Sequence, residues 1–382
     1  MSFTLALPRI SISGQGAIAD AAAAMAREGA RKVLVLTDRV LHGLPSTQAV
    51  LDILAAHKLA YKVFDAIDPN PTVPNVEAAF AVYSEMQPDV VVALGGGSVI
   101  DTAKAVRTLS ANPGPINRYE GVHPEVKPGV KLVCFNTTSG TAAEVTSNAV
   151  IIDPARRVKM VIIAPANIPD IAVNDPMVLV SMPPATTAAT GMDALTHAIE
   201  AYVSKGAHPL TDHSALEAIR IIRKWLPVAY RDGKNLEARE MMAHGQFIAG
   251  MAFNSAGLGC VHSLAHQPGA THNLPHGVAN AVLLPVVEAF NRDAAVARFA
   301  TIAEAMGVDT SKMTQEQASF AALDAIRALS KEVNIPAGLS ACGIKESDIE
   351  QWLAPALADP CTPGNPKPVT ADDVRRLYRQ AL

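Results

Sequence analysis

The sequence predicts an α/β protein with a Rossmann-like parallel sheet over residues 1–180, followed by an all-helical domain over residues 181–382. In the first half, short apolar runs rich in β-branched residues alternate with stretches of helical spacing, a pattern typical of βαβ units. After Pro183 and Pro184 the chain becomes rich in Ala, Leu, Met, Glu and Arg at helical spacing. Strand signals are scarce there, so we expect helices alone.

Four strands are predicted in the first half, at Lys32–Thr37, Ala60–Phe64, Asp89–Leu94 and Lys131–Phe135. The third is a near-continuous apolar run, as expected for a strand that is buried on both faces of a parallel sheet. Helices are predicted between the strands, near Ser46–Lys58, over Val73–Glu85 and from about Ser98. Parallel sheets of this kind bind ligands at the carboxyl ends of their strands.

Six helices are predicted in the second half from residues with high helix propensity at helical spacing. They cover Ala185–Tyr202, Thr211–Trp225, Leu236–Phe253, Ala294–Met306, Glu316–Val333 and Ala371–Ala381. The sequence shows no internal repeat that would indicate a solenoid or propeller.

Composition and charge exclude several classes of protein. The formal net charge is −4 and no basic block occurs, which argues against a nucleic-acid or anionic-membrane partner. The N-terminus carries no pattern of a secretory signal, and no apolar run is long enough to span a bilayer. The four cysteines form no CxxC pair, as is usual for reduced cytosolic thiols. We therefore expect a cytoplasmic protein.

A glycine-rich turn follows the third predicted strand. Gly95, Gly96 and Gly97 are followed by Ser98, which opens a predicted helix. Glycines let the backbone approach a phosphate closely, and the helix N-terminus offers unpaired N–H groups. The turn therefore suits a pyrophosphate, although it lacks the GxGxxG fingerprint and equally fits a tight strand–helix connection.

Two further strand ends carry polar residues that suit a nucleotide. Thr137 and Thr138 follow the fourth predicted strand and are able to contact phosphate or ribose, although a helix cap is an equal alternative. Asp38 follows the first strand. A carboxylate there accepts hydrogen bonds from a ribose and repels a 2′-phosphate, which favours NAD over NADP. An ordinary turn aspartate is the alternative.

Histidines are concentrated in one segment of the second half. Four of the 11 histidines, His262, His266, His272 and His276, lie within residues 262–276. Upstream, Asp193 and His197 are four residues apart, as are His262 and His266, so each pair shares one helix face. We place Pro275, His276 and Gly277 in a turn, with Pro268 and Gly269 folding the chain back.

Together these residues predict a metal site. A carboxylate with three imidazoles makes a plausible N₃O ligand set that leaves an open position for substrate. Asp193 and His197 taken alone equally fit a structural hydrogen-bonded pair. Six candidate groups exceed the four ligands needed. Some of His266 and His272 must therefore be relay, supporting or surface residues instead of ligands.

The motifs resemble those of the group III, iron-dependent alcohol dehydrogenases, in the same order along the chain, and most of all the branch of lactaldehyde reductases (1,2-propanediol oxidoreductases). The similarity covers nearly the whole sequence. The motifs that carry it are Gly95–Ser98 with Asp101 and Lys104, Asn136–Glu144, Ala188–Tyr202, the histidine segment through Pro285, Pro69–Thr72 and Asn365–Pro366.

The resemblance implies a dehydroquinate synthase-like architecture and an NAD-dependent oxidoreductase that interconverts a small primary alcohol or diol with its aldehyde. It implies a divalent ion, usually Fe²⁺, although Zn²⁺ also suits these ligands. It also implies a homodimer or larger homo-oligomer. The implied residues are Asp193, His197, His262 and His276 for the metal; His266 for proton transfer; Asp38, Gly96, Gly97, Ser98, Thr137, Thr138 and Lys159 for NAD; and Phe253 and Cys361 in the pocket wall.

The sequence departs from the family pattern near the expected substrate pocket. Thr271 and His272 stand where several relatives carry an aromatic pair, and Ser147 and Asn148 replace bulkier or basic residues. We therefore add Asn148 and His272 to the pocket candidates, His272 being either a substrate-selecting or a solvated loop residue. The alternatives are a reductase of a small anionic aldehyde such as sulfoacetaldehyde, a dehydroquinate synthase-like lyase, and a metal-binding scaffold without activity.

Overall fold

The computed structural model describes residues 3–382, and the chain divides into two compact units. We call them the sheet unit and the helical unit. The sheet unit comprises residues 6–138 and 142–182, and the helical unit comprises a short N-terminal stretch ending at Leu5, residues 139–141 and residues 183–382. Each unit is described by itself below.

The sheet unit contains nine strands in two sheets. They are β1 (Ile10–Ser13), β2 (Lys32–Leu36), β3 (Ala60–Phe64), β4 (Val90–Gly95), β5 (Gly121–Val122), β6 (Lys131–Asn136), β7 (Asn148–Asp153), β8 (Val158–Ile163) and β9 (Ile171–Asn174). Six of them form a sheet in the order β1-β9-β6-β4-β2-β3, in which every neighbouring pair is parallel. This is the predicted parallel sheet.

The central strands of this sheet are buried on both faces, which explains their apolar runs. Along β2, Val33 and Val35 pack into one hydrophobic cluster, whereas Leu34 and Leu36 pack into another. Successive side chains of a strand point to opposite faces, so the two clusters lie on opposite sides of the sheet. All six residues of β4 are buried in the same way.

Helices of the sheet unit connect the strands. They are α1 (Ala17–Arg27), α2 (Arg39–His42), α3 (Pro45–Ala56), α4 (Val73–Met86), α5 (Gly97–Ala111) and α6 (Pro176–Leu179). Thr72 and Asn75 form a capping box at the start of α4, and a proline follows in the first turn. The predicted boundaries of α3, α4 and α5 differ from these by one or two residues.

A three-stranded sheet, in the order β5-β8-β7, was not predicted. Strands β7 and β8 form an antiparallel hairpin that turns at Arg157, whose φ of 56° is left-handed. Strands β1 and β9 and helix α1 were missed as well. Both missed strands of the parallel sheet are only four residues long, too short for a periodic signal.

The strand order places a natural binding point at the middle of the parallel sheet. After β2, the chain forms β3, which lies on one side of β2. The later strands β4, β6 and β9 lie in succession on the other side of β2. The order therefore reverses between β2 and β4. Ligands of open α/β sheets bind at such a reversal, beyond the carboxyl ends of the strands. Asp38 and Gly96 follow these two strand ends.

Among residues 3–382, nine α-helices belong to the helical unit. They are α7 (Pro184–Val203), α8 (Pro209–Arg231), α9 (Leu236–Ala256), α10 (Cys260–His272), α11 (His276–Asn291), α12 (Val296–Ala305), α13 (Gln315–Glu332), α14 (Leu353–Ala358) and α15 (Ala371–Ala381). All six predicted helices are present. Helix α8 continues past the predicted end at Trp225, through Pro227, to Arg231.

No single helix within residues 3–382 is both long enough and apolar enough to cross a bilayer. One pair, α9 and α10, is long and apolar enough only when the two helices are taken together, and the chain bends by 104° between them.

Candidate active site

Three helices of the helical unit carry the predicted metal ligands. Asp193 and His197 are buried one turn apart on α7, and His262 and His266 are buried one turn apart on α10. A spacing of four residues brings each pair to one helix face, as predicted.

His276 does not lie in a turn, contrary to prediction, but is the first residue of α11. Pro268 and Gly269 do not reverse the chain either, since both lie inside α10. The reversal occurs at Asn273, which ends α10 with a left-handed φ of 53°. Asparagine tolerates this conformation because its short polar side chain bonds to the local backbone.

Three of the four predicted ligands bring donor atoms together. One ligand atom each from Asp193, His262 and His276 lies within 4.8 Å of the others. Oδ1 of Asp193 is 4.0 Å from Nε2 of His262 and 3.8 Å from Nε2 of His276. Two imidazole nitrogens and a carboxylate oxygen are ligands that Fe²⁺ and Zn²⁺ both accept.

The side chain of Asn280 fills the point on which these atoms converge. Its Nδ2 lies 2.7 Å from Oδ1 of Asp193, 3.1 Å from Nε2 of His262 and 3.2 Å from Nε2 of His276. An amide nitrogen carries only two hydrogens, so it is unable to donate to all three acceptors at once. Three acceptors that converge on one buried point are better matched by a cation than by this amide.

Glu200 supports the set from the far side of His262. Its Oε2 lies 2.5 Å from Nδ1 of His262, and its Oε1 accepts from the backbone N–H of Val261. A proton on Nδ1 leaves Nε2 as the acceptor that faces Asp193, the tautomer that a metal requires. Burial raises the pKa of Glu200 to about 8, and a nearby cation would favour its ionised form.

His197 lies beside this set without joining it. Its ring centroid is 4.4 Å from that of His262, and its ring stacks on Phe253 at 4.2 Å. Burial lowers the pKa of His197 to about 3, so the ring is neutral. Within the described part of the chain, its Nδ1 is buried without a hydrogen-bond partner. An unpaired buried nitrogen costs free energy unless a hydrogen bond or a metal ion satisfies it.

The residues present therefore fit a divalent cation. Neutral imidazoles, a buried carboxylate, an unpaired ring nitrogen and a carboxylate that fixes one histidine tautomer are the features of a metal site. The ligand set contains no sulphur, which suits Fe²⁺ as well as Zn²⁺.

His266 has a different partner from the other histidines. Its Nδ1 lies 2.7 Å from Oδ2 of Asp359, and its ring stacks on that of His276 with centroids 5.4 Å apart. Asp359 thus holds the orientation of the ring and favours a proton on Nδ1. Through its contact with His276, His266 lies beside the metal set.

The pocket candidates of the helical unit occupy three different positions. Phe253 stacks on His197, and Cys361 lies in the group with His266 and Asp359. His272 is the last residue of α10. Its ring packs edge-on against Trp352, with ring centroids 5.6 Å apart, and its Nε2 lies 3.4 Å from Oδ2 of Asp348. Its contacts tie it to the segment before α14 and not to the metal set.

The glycine turn of the sheet unit forms a cradle whose shape depends on the absence of side chains. A Cβ on Gly96 would lie 2.7 Å from Cγ2 of Thr138, and a Cβ on Gly95 would lie 2.5 Å from Val99. Gly96 caps α5 with a φ of −85°, and no side chain among residues 3–382 caps that helix end. Space, not a left-handed φ, is therefore the reason for glycine here.

Other nucleotide candidates lie around the same helix start. Oγ of Ser98 accepts from the backbone N–H of Asn70, and Nζ of Lys159 lies 3.4 Å from Oδ1 of Asn70. Thr137 donates its backbone N–H to the carbonyl of Gly95. The structure therefore brings Gly96, Gly97, Ser98, Thr137, Thr138 and Lys159 to the start of α5.

Asp38 and Asn148 have structural partners in the sheet unit. Oδ1 of Asp38 caps α2 by accepting from the backbone N–H of Leu41. Asp38 therefore has a structural role of the kind that was the alternative to a ribose contact. The carbonyl of Asn148 accepts from Nζ of the buried Lys104. Asp101 accepts from the backbone N–H of Val150. The two charged residues of the glycine motif therefore tie α5 to β7.

Comparison with known proteins identifies the class of the chain. The family model described as iron-containing alcohol dehydrogenase matches residues 8–176, and that of the Fe-containing alcohol dehydrogenase family, C-terminal, matches residues 187–382. These matches define an oxidoreductase of the alcohol dehydrogenase class. The chain belongs to the iron-containing alcohol dehydrogenase family.

Three relatives illustrate the similarity. The chain is 42% identical to the NAD-dependent methanol dehydrogenase of Bacillus methanolicus over 376 residues, which cover 98% of this chain and 99% of that one. It is 42% identical to lactaldehyde reductase of Escherichia coli (strain K12) over 370 residues, 96% of each chain. The crystal structure of 1,3-propanediol oxidoreductase superposes with a TM-score of 0.97 at 39% identity, covering 100% of both chains.

Sequence reasoning missed three residues of the site. Glu200 is seven residues after Asp193, so the i, i+4, i+7 pattern of α7 already placed it on the same face as the ligands. Asn280 is four residues after His276, but this signal depends on knowing that His276 opens a helix. Asp359 carries no local signal, because it reaches His266 from 93 residues away.

Proposed function

We propose that the chain catalyses reversible hydride transfer between NAD(H) and a small primary alcohol or diol, or its aldehyde. We propose Fe²⁺ as the metal, with Asp193, His197, His262 and His276 as its ligands. The observation that carries the proposal is the convergence of one carboxylate oxygen and two imidazole nitrogens within 4.8 Å in the helical unit.

The side chains around the ligands have supporting roles. Glu200 fixes His262 with Nδ1 protonated, so that Nε2 remains a ligand. Phe253 holds the ring plane of His197 by stacking. When bound, the divalent ion supplies Lewis-acid polarisation of the substrate oxygen. Burial of Asp193, His197 and His262 limits the access of water, which strengthens the electrostatic contacts inside the site.

The cofactor is proposed to bind on the sheet unit at the start of α5. The backbone N–H groups of Gly97 and Ser98 and the dipole of α5 would hold the pyrophosphate, close to Thr137 and Thr138. Lys159 would contribute a positive charge. Asp38, which follows β2, would accept hydrogen bonds from the adenosine ribose and repel the 2′-phosphate of NADP. The nicotinamide ring of the cofactor supplies the hydride chemistry itself.

His266 is proposed to carry the proton that accompanies hydride transfer. With Nδ1 held by Asp359, Nε2 is the atom that accepts or returns the proton. Phe253, Cys361 and His272 of the helical unit are proposed to line the substrate pocket, and Asn148 is proposed separately as a substrate-binding candidate of the sheet unit. Of these, Phe253 and Cys361 have the stronger support, because they lie against His197 and His266.

The names of the relatives support a small and uncharged substrate. Methanol, lactaldehyde and 1,3-propanediol are the compounds that the three names contain. We therefore propose a short alcohol, diol or hydroxyaldehyde, with an anionic aldehyde as the alternative to be tested. A cytoplasmic location and a homodimer or larger homo-oligomer are also proposed, and light scattering on purified protein tests the oligomer.

The experiment that tests the function is an anaerobic assay of the Fe²⁺-reconstituted protein with NADH. The panel contains formaldehyde, acetaldehyde, lactaldehyde, 3-hydroxypropanal and sulfoacetaldehyde. We expect net NADH oxidation with a neutral aldehyde, slower oxidation with the anionic one, and higher turnover with NADH than with NADPH. A lyase that recycles its NAD would show no net oxidation. Failure of every aldehyde to oxidise NADH would contradict the proposal.

A further inference from the structure

A second group of potential metal ligands lies in the helical unit, beside the first. We call it the thiol cluster, and its members are His266, Asp359 and Cys361. One ligand atom of each lies within 4.8 Å of the others; His266 and Asp359 are buried and Cys361 is half-buried. Unlike the proposed iron site, this cluster contains sulphur.

Backbone contacts hold the thiol cluster in shape. Asp359 directly follows α14, and its Oδ1 accepts from the backbone N–H of Cys361 at 2.9 Å. Its carbonyl accepts from the backbone N–H of Thr362 at 3.1 Å, so the segment forms a tight turn. The other carboxylate oxygen, Oδ2, meets Nδ1 of His266 at 2.7 Å. Helix α10 and the turn after α14 thus bring an imidazole, a carboxylate and a thiol together.

The ligand chemistry of the cluster suits Zn²⁺ better than it suits Fe²⁺. Thiolate, imidazole and carboxylate are the three side-chain ligands of protein zinc sites, and thiolate favours the softer ions. With zinc–ligand distances of about 2.0–2.3 Å, ligand atoms around a tetrahedral ion lie about 3.3–3.5 Å apart. Atoms already within 4.8 Å of one another reach that spacing by small side-chain rotations.

Charge balance within the cluster also accommodates an ion. Burial raises the pKa of the Cys361 thiol well above its ordinary value, so the thiol is protonated when no ion is present. Burial would likewise raise the pKa of Asp359, but the charge and hydrogen bond of His266 together with the hydrogen bonds from Cys361 outweigh it, so that the pKa of Asp359 is lowered. Entry of Zn²⁺ would release the thiol proton to solvent, and the ion would stabilise the thiolate that remains. Coordination through Nδ1 of His266 would move the proton that Nδ1 shares with Asp359 to Nε2, so that Nε2 could no longer accept a proton.

We propose that His266, Asp359 and Cys361 form a second metal site that takes Zn²⁺ and that inhibits the enzyme when filled. The inhibitory part rests on the proposed function, because coordination would remove His266 from proton transfer. The stacking of His266 on His276 keeps the site next to the proposed iron ligands. Because the thiol cluster shares no residue with the proposed iron ligands, a zinc ion there would act without displacing the iron.

Cobalt spectroscopy tests the second site without any measurement of turnover. Metal-free protein is titrated with Co²⁺ under anaerobic conditions, and the near-ultraviolet sulphur-to-cobalt charge-transfer band is recorded. The proposed iron site contains no sulphur, so only Co²⁺ bound to a thiolate gives this band. We expect the band in the wild type, its loss in Cys361→Ser, and its bleaching when Zn²⁺ displaces Co²⁺. Circular dichroism verifies that each variant is folded.

Two control variants make the spectroscopic test specific. Cys260→Ser removes another buried thiol of the same unit and should retain the band. Asp193→Ala removes a proposed iron ligand and should retain it as well, so failure of the iron site and failure of the thiol cluster are distinguishable. Absence of the band in the wild type at saturating Co²⁺, or its survival in Cys361→Ser, would overturn the proposal.

A zinc titration of the Fe²⁺-loaded protein tests the inhibition. The zinc concentration for half-inhibition, measured against each variant's own uninhibited rate, should rise at least about tenfold in Cys361→Ser. It should be unchanged in Cys260→Ser. Equal sensitivity of the wild type and Cys361→Ser would show that zinc acts by replacing iron, and would overturn the inhibitory role.

Discussion

The glycine cradle of the sheet unit and the histidine cluster of the helical unit are built by opposite means. In the cradle, Gly96 matters for what it lacks, because a Cβ there would meet Thr138 at 2.7 Å. In the cluster, Asp193, His262 and His276 matter for the atoms they supply within 4.8 Å of one another. One region offers backbone N–H groups and space, whereas the other offers specific side-chain donors.

This difference explains how specific each region is and how it responds to substitution. Backbone N–H groups exist at every residue, so many sequences are able to form a phosphate cradle, and its signal is weak. Side-chain donors are irreplaceable, so the metal set is recognisable from residue types alone. We therefore expect substitutions in the metal set to abolish activity and substitutions in the cradle to weaken cofactor binding by degrees.

The largest effect is expected for Asp193→Ala. Loss of the carboxylate should reduce kcat/KM by about 10³-fold or more, because the Lewis acid contributes several kcal/mol. Metal analysis should show that bound iron is lost in parallel. Asp324→Ala, an exposed aspartate on α13, is the matched control and should retain both. A metal-free Asp193→Ala protein with wild-type turnover would refute the assignment.

A smaller effect is expected for Glu200→Gln, which keeps the shape of the side chain and removes its charge. The variant should bind Fe²⁺ about 10–100-fold more weakly, because Glu200 fixes the tautomer of His262. Competition with a chelator measures the affinity. Glu217→Gln, on the exposed side of α8, is the control. Unchanged affinity would mean that Glu200 has only a structural role.

In the cradle, Gly96→Ala should raise the dissociation constant for NADH by about tenfold, because Thr138 must move to accommodate the new Cβ. Iron content should stay at the wild-type level, which separates the two regions. Fluorescence titration with NADH measures the binding. Gly43→Ala serves as the control, since its Cβ would have no neighbour nearer than 3.7 Å. Equal NADH affinity in wild type and Gly96→Ala would count against the cradle.

The smallest effect is expected for Asp38→Asn. The amide oxygen is still able to cap α2, so the fold should be preserved. Removal of the negative charge should reduce the preference for NAD over NADP by about fivefold. The ratio of kcat/KM for the two cofactors measures this preference, and Asp52→Asn on α3 is the control. An unchanged ratio would leave Asp38 as a capping residue alone.

The sequence predicted those elements whose signals are local. The buried strand β4 and the helices α7 and α13 follow from apolar runs and helical spacing, and their ends agree to within one residue. The four-residue strands β1 and β9 lack such signals. Their pairing depends on contacts between segments about 160 residues apart, which no local pattern contains.

The same distinction applies within the site. Pairs spaced by four residues on one helix were correctly placed on a common face, because helix geometry alone determines it. The start of α11 at His276 was missed, because the reversal depends on the left-handed Asn273 rather than on Pro268 or Gly269. The contact of Asp359 with His266 joins distant segments and was likewise beyond sequence reasoning.

The measurement that tests the central claim most directly is an anaerobic titration of metal-free protein with Fe²⁺. Bound iron and the rate of NADH oxidation with the preferred aldehyde are followed in the same samples. We predict a rate that rises in proportion to bound iron and levels off at one ion per chain. The His197→Ala variant should show neither bound iron nor NADH oxidation. Full NADH oxidation in the metal-free protein would contradict the account.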